Sequence, residues 1–139
     1  MKTAIRYYTK SKKGNTVKLA KFIEEKTGLK ALDVTHPLEE TVDQLLLLNA
    51  MYAADVDVEI KEFLKNNKDK IGTLVNINSS ATGRSTLKAV KKVADKEGIK
   101  VSDKEFHTVA SWIFLNKGRP NEKDFAHLEA FLKEVVING

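Results

Sequence analysis

The chain has 139 residues, of which 42% are hydrophobic, and this predicts a single globular domain over residues 1–139 with a sizeable core. It contains no cysteine, so disulfides, thiolate nucleophiles and cysteine-ligated metal sites are excluded. No apolar run approaches the length of a membrane span, and the first residues lack a signal-peptide pattern. We therefore expect a cytoplasmic protein that does not associate with membranes.

The net charge is +5, but the two signs are unevenly distributed along the chain. Residues 1–30 carry nine Lys or Arg against two Glu, whereas residues 31–64 carry eight acidic residues against one Lys. Residues 65–100 are basic again, so we expect separate basic and acidic faces, formed mostly by solvated helix surfaces. The basic stretches lack the interleaved aromatic residues of a nucleic-acid platform, which argues against a nucleic-acid partner.

The first elements in chain order are a strand, a helix and a second strand. Residues 2–8 mix β-branched and aromatic side chains, which is typical of a strand, and a polar loop follows. Apolar residues at helical spacing then predict a helix that ends at Gly28, a short second strand over 29–34 and a stop at Pro37. A weak helix is expected over roughly 39–44.

The rest of the chain continues the alternation of strands and helices. The run Leu45–Leu48 predicts a strand buried on both faces, as in a parallel sheet. The remaining predicted elements are a helix over Val58–Asn67, a strand over Thr73–Ile77, a helix from Leu87 to Gly98, a final strand over 99–109, a loop over 110–120 and an amphipathic helix over 124–136.

Five strands that alternate with helices predict an α/β fold with a parallel sheet covered on both faces. In such sheets, ligands bind beyond the carboxyl ends of the strands. The candidate functional loops are therefore 9–16, 49–57, 78–84 and 110–120.

The loop after the first strand has the composition of an anion site. It brings hydroxyl and amide side chains to the start of a helix, where backbone N–H groups lack intrahelical acceptors and the helix dipole is positive. These residues are Thr9, Ser11, Gly14, Asn15 and Thr16. In the alternative interpretation, Asn15 or Thr16 merely caps the helix and Gly14 makes the turn. The chain contains neither GxxxxGK[ST] nor GxGxxG, which argues against a P-loop nucleotidase and the usual dinucleotide site.

Four segments in order resemble the flavodoxin family. They are GNTVKLA at the first loop, LLLLNAMYAADVDVEIKEFL at the third strand, NINSSATGRSTLKAV at the fourth strand and FLNKGRPNEKDF before the last helix. The resemblance extends across nearly the whole chain. It implies a flavodoxin-like three-layer sandwich with a five-stranded parallel sheet in the order 2-1-3-4-5.

The resemblance also implies that the chain binds the cofactor FMN in these loops. The phosphate would be held by Thr9, Ser11, Asn15 and Thr16, with Gly14 and Lys13 in the same loop. Lys12 and Lys13 depart from the family pattern as a two-residue insertion. The insertion could widen the cradle or add cationic contacts to the phosphate, and we favour retained binding.

The flavin ring would lie between the two loops that follow the third and fourth strands. The first loop contributes Ala50, Met51, Tyr52 and Ala53, and the second contributes Ser79, Ser80, Ala81, Thr82 and Gly83. Tyr52 is the main stacking candidate, the alternative being an ordinary surface tyrosine. Trp112 could cover the second face of the ring, although core packing is the commoner role for such a residue.

The leading functional hypothesis is an FMN-binding electron-transfer protein that shuttles electrons between redox partner proteins. The alternatives are an FMN oxidoreductase acting on a quinone or similar small molecule, and an FMN-free binding module on the same fold. No catalytic or metal-ligating residue is assigned, and His107 is interpreted as structural. Acidic residues near the ring could guide a basic redox partner, although solvated helix-start charges are the plainer interpretation: Asp55, Asp57, Glu59 and Glu62.

Overall fold

The computed structural model describes residues 1–10, 14–50, 56–80, 82–109 and 118–137. The strands are β1 (Thr3–Tyr7), β2 (Ala31–Asp33), β3 (Val42–Ala50), β4 (Ile71–Ser80), β5 (Lys100–Val101) and β6 (Phe106–Val109). The helices are α1 (Asn15–Thr27), α2 (Val58–Asn67), α3 (Leu87–Lys96) and α4 (Glu122–Leu132), and α4 continues as a π-helical turn over Lys133–Ile137.

All these strands belong to one parallel sheet with the order β2-β1-β3-β4-β5, which confirms the predicted fold class. The predicted final strand over 99–109 is divided in two: β5 pairs with the beginning of β4 and β6 pairs with its end. The division falls at the polar residues Ser102–Glu105, where the Ser102 hydroxyl accepts a hydrogen bond from the Lys104 N–H at 3.1 Å. A polar turn of this kind interrupts the ladder, because its own side chain binds the backbone.

The leucine run lies at the centre of the molecule, as its uniform hydrophobicity predicts. All four leucines have 0% exposure. Leu45 and Leu47 pack against the α2 and α3 side of the sheet, and Leu46 and Leu48 pack against the α1 and α4 side. Successive strand residues point to opposite faces, so one run of leucines contributes to both cores.

The weak helix expected over roughly 39–44 is wrong, because β3 already begins at Val42. Val42 and Gln44 are buried, while Asp43 between them is exposed, and this is strand periodicity. The Gln44 amide donates to the backbone oxygen of Val135 at 3.1 Å, which compensates for burying a polar side chain here.

The end of α1 agrees with its prediction. Gly28 is the C-cap with φ +72°, and its N–H donates to the Glu24 carbonyl at 2.9 Å. Glycine adopts this left-handed conformation without the steric cost that other residues incur. None of the helices within the described ranges is long and apolar enough to cross a membrane.

Candidate functional site

Strands β1, β3, β4 and β6 all run parallel, so their carboxyl ends meet at one edge of the sheet. The described part of this edge contains nine of the predicted site residues: Thr9, Gly14, Asn15, Thr16, Ala50, Ser79, Ser80, Thr82 and Gly83. The other predicted contacts lie outside the described residues: Ser11, Lys12, Lys13, Met51, Tyr52, Ala53, Ala81 and Trp112. The fold thus brings the described residues of the predicted loops to the same edge.

Helix α1 begins at this edge without a capping side chain. Gly14 occupies the N-cap position in an extended conformation, and no side chain makes a cap hydrogen bond. Asn15 and Thr16 are instead the first helical residues, so the alternative in which one of them caps the helix is wrong. The first intrahelical hydrogen bond runs from the Lys18 N–H to the Gly14 carbonyl, leaving the preceding N–H groups without intrahelical acceptors.

Helices α2 and α3 also begin at this edge without a side-chain cap hydrogen bond. Helix α4, by contrast, begins with a full capping box, in which Asn121 and Asp124 each accept the other's backbone N–H. The positive ends of α1, α2 and α3 therefore face the edge. At α3 two of the first backbone donors bind side chains, because the Thr86 N–H donates to Asn78 Oδ1 and the Leu87 N–H donates to Ser85 Oγ.

The segment 82–86 after β4 is held by hydrogen bonds to the strands on either side. Asn78 Nδ2 and Ser80 Oγ both donate to the Arg84 carbonyl, at 2.9 and 3.2 Å. On the other side, His107 Nδ1 lies 2.9 Å from the Gly83 carbonyl oxygen. This contact agrees with the structural role predicted for His107, although the side chain is exposed.

Gly83 is required at its position for two reasons. Its φ is +75°, and a Cβ atom there would lie 3.0 Å from Cγ2 of Val109. Within the described part of the chain, the backbone N–H groups of Thr82 and Ser85 have no hydrogen-bond partner. The Gly83 and Arg84 carbonyls are thus tied back to the protein, while the N–H groups of Thr82 and Ser85 remain available as donors.

An ion pair joins the first loop to the start of α2. Lys10 Nζ lies 3.6 Å from Oδ1 of Asp57, the N-cap residue of α2. Of the other acidic residues proposed for partner docking, Glu59 is exposed and Glu62 lies beside lysines, while Asp55 is outside the described residues. The Lys10–Asp57 pair was not predicted, because the two residues are far apart in the chain.

The segment that leads into α4 is anchored by a buried carboxylate, Asp124. Arg119 Nε donates to Asp124 Oδ2 at 2.9 Å, and its Nη2 donates to Oδ1. Thr108 Oγ1 and the Asn121 N–H donate to the same carboxylate at 3.1 and 2.8 Å. The Arg119 hydrogen bonds, opposed by burial and aided by Asn121 and Thr108, lower the pKa of Asp124 from 3.8 to about 2.

A basic groove of about 510 Å³ lies on the outer surface between α2 and α3. Val93 and charged residues from both helices line the groove. The lysines are Lys61, Lys65, Lys92 and Lys96, and the glutamates are Glu62 and Glu97. The groove contains none of the predicted cofactor contacts. No cluster of metal-ligating side chains occurs among the residues that the structure describes.

The fold and the site together define a flavodoxin-like α/β protein with an uncapped helix at the carboxyl edge of its sheet. A scan against protein-family models found no match, and a search of curated proteins found no significant match. Solved structures, however, match over almost the whole chain.

One is a flavodoxin from the domain Archaea, with a TM-score of 0.72 and 11% identity, covering 99% of this chain and 98% of that chain. Another is a short-chain flavodoxin associated with a PDU bacterial microcompartment, with a TM-score of 0.68, 15% identity and 99% coverage of both chains. The apo form of an NADH:FMN oxidoreductase matches with a TM-score of 0.62 and 12% identity, covering 96% of this chain and 88% of that chain. At these identities the likeness establishes the flavodoxin-like fold.

Proposed function

We propose that the protein binds FMN at the carboxyl edge of its sheet and carries electrons between redox partner proteins. The observation that carries the proposal is the start of α1, where Gly14, Asn15 and Thr16 follow β1 without a side-chain cap. The first turn also contains no acidic residue that would repel a phosphate. This donor set fits the dianionic phosphate of FMN.

The described residues also fit the isoalloxazine ring. The free N–H groups of Thr82 and Ser85 lie on the segment that follows β4, next to Ser79 and Ser80. Backbone donors of this kind suit the polar edge of a flavin, and when bound the flavin would supply the redox chemistry. The flavodoxins of the same fold support this assignment, and Thr9 and Ala50 lie at the adjoining strand ends.

The principal alternative is an FMN oxidoreductase that acts on a quinone or similar small molecule. It is favoured by one observation, the likeness to the NADH:FMN oxidoreductase, which has the same fold. The described residues contain no side chain in a clear acid or base role: His107 is bound to a carbonyl, and the pKa of Asp124 is lowered by Arg119. An electron carrier needs no such group, and we therefore favour it.

Turnover by the FMN-loaded protein distinguishes the two functions. In the presence of a soluble quinone, we expect NADH and NADPH to be oxidised at a turnover rate well below the typical enzymatic range of about 1 to 1,000 per second. We also expect the chemically reduced protein to pass its electrons to cytochrome c. Turnover of about 10 per second with either nucleotide would instead establish the oxidoreductase.

A third candidate is an FMN-free binding module, and the basic groove between α2 and α3 is the observation that favours it. Such a module would bind an acidic partner in a salt-sensitive manner and would take up no flavin. None of the described residues that line the groove is aromatic, so a nucleic acid is the less suitable occupant.

A further inference from the structure

Three buried polar side chains from β3, β4 and the start of α3 form a closed ring of hydrogen bonds. Asn49 Nδ2 donates to Asn76 Oδ1 at 2.8 Å, and Asn76 Nδ2 donates to Thr86 Oγ1 at 3.0 Å. Thr86 Oγ1 closes the ring by donating to Asn49 Oδ1 at 2.6 Å. Each member is at most 4% exposed, so water does not compete for these bonds.

Packing alone does not account for amides at these positions. The preceding residues on the same faces of the two strands are Leu47 and Leu74, and both have 0% exposure. A leucine could continue either pattern, because replacing all partners of a buried hydrogen-bonded set by apolar groups is often close to neutral. The amides differ from leucines in being directional, since their bonds fix one arrangement of the three elements.

The ring is connected to the segment that carries the free backbone donors. Asn76 Nδ2 also lies 3.4 Å from Asn78 Oδ1. The same oxygen accepts a hydrogen bond from the Thr86 N–H at 3.1 Å. The other end of the Asn78 amide donates to the Arg84 carbonyl. Both Arg84 and Thr86 are thus fixed relative to β4, and Ser85, whose N–H is free, lies between them.

We propose that the Asn49–Asn76–Thr86 ring is a positioning device that holds segment 82–86 in the arrangement that receives the isoalloxazine ring of a flavin. These residues do not touch the cofactor themselves. They act through the backbone, so that the donors on Thr82 and Ser85 are already placed before the ligand arrives, which lowers the entropic cost of binding. The inference rests on the proposed FMN site.

The matched pair Thr86→Val and Thr86→Ser tests the proposal, because valine has the shape of threonine without its hydroxyl and serine keeps the hydroxyl. We expect Thr86→Val to weaken FMN and riboflavin binding by the same factor, about tenfold, because the ring contact is disturbed and the phosphate contact is not. Thr86→Ser should retain affinities close to those of the wild type.

Amide hydrogen exchange of the apoprotein gives a second readout that does not depend on flavin. We expect residues 82–87 to exchange at least about tenfold faster in Thr86→Val, with α1 unchanged. Ile99→Ala is the control for general destabilisation. Ile99 is 3% exposed in the core on the α2 and α3 side of the sheet, but it lies beside the beginning of β4, away from segment 82–86. This variant should lower the melting temperature without changing flavin affinity or local exchange.

The possible failures can be told apart. Unchanged flavin affinity in Thr86→Val, in a wild-type protein that does bind FMN, would overturn the positioning role and leave the proposed function intact. Equal losses of affinity in Thr86→Val and Ile99→Ala would also overturn it, because general stability would then explain the effect. A wild-type chain that binds neither flavin would overturn the proposed function and, with it, this role.

Discussion

Asp124→Asn is expected to lower the free energy of unfolding by about 2 kcal/mol at pH 7, because hydrogen bonds to a buried charged group contribute about 1.5 to 3 kcal/mol while its partner Arg119 is partly exposed. The carboxylate is 5% exposed and accepts hydrogen bonds from Arg119, Thr108 and the Asn121 N–H. An amide of the same shape loses the charge and presents an NH₂ group to donors that need an acceptor. Urea unfolding followed by circular dichroism measures the difference.

The effect should depend on pH in a defined direction. Because the folded-state pKa of Asp124 is depressed to about 2, its contribution is fully present above the ordinary carboxyl pKa and is lost as the pH falls through about 2. The difference in unfolding free energy between wild type and Asp124→Asn should therefore be constant above about pH 5, where an ordinary carboxyl group is ionised, and should narrow below about pH 4. A gap that persisted undiminished near pH 2 would contradict the charge-based explanation.

Glu122→Gln is the matched control for this variant. It makes the same carboxylate-to-amide change in the first turn of α4, but Glu122 is exposed. It should change the unfolding free energy by about 0.5 kcal/mol or less, as expected for a favourable helix-dipole charge at the surface.

Asn15→Asp is expected to weaken FMN binding by about 30-fold while leaving riboflavin binding unchanged. A new carboxylate at the first position of α1 would lie near the dianionic phosphate, and about 2 kcal/mol of repulsion is reasonable at the high effective dielectric of a protein surface. The same charge favours the positive end of the helix, so the protein should be as stable as the wild type or slightly more stable. Isothermal titration with each flavin, together with thermal unfolding, separates the two effects.

Asn66→Asp controls for the change in total charge, because Asn66 is exposed near the end of α2 and away from the carboxyl edge of the sheet. It should leave the affinity for FMN as it is in the wild type. If Asn15→Asp weakened FMN and riboflavin equally, Asn15 would contribute to the fold of the loop and would not lie beside the phosphate.

The sheet was predictable because its signals are local. The leucines of β3 are uniformly apolar, and a strand with that pattern has to be covered on both faces. The start of β3 was harder to predict from the sequence, because Val42 and Gln44 are buried through contacts with distant parts of the chain. The Gln44 amide is satisfied by Val135, which lies at the other end of the sequence.

The loops of the candidate site could be proposed from the sequence, but its supporting contacts could not. The glycine and the polar residues before α1 carry a recognisable pattern, whereas the amide ring joins three elements separated by tens of residues. The available signal was the spacing of Asn76 and Asn78, which places two amides on the same face of a buried strand. Their partners Asn49 and Thr86 become apparent only when the strands are paired and α3 is in place.

The most direct test of FMN binding is a titration of the purified apoprotein with FMN and, separately, with riboflavin, followed by flavin fluorescence and visible absorbance. We predict submicromolar binding of FMN and much weaker binding of riboflavin, because the start of α1 would hold the phosphate. Failure to bind either flavin would contradict the proposed function and leave only the flavodoxin-like fold.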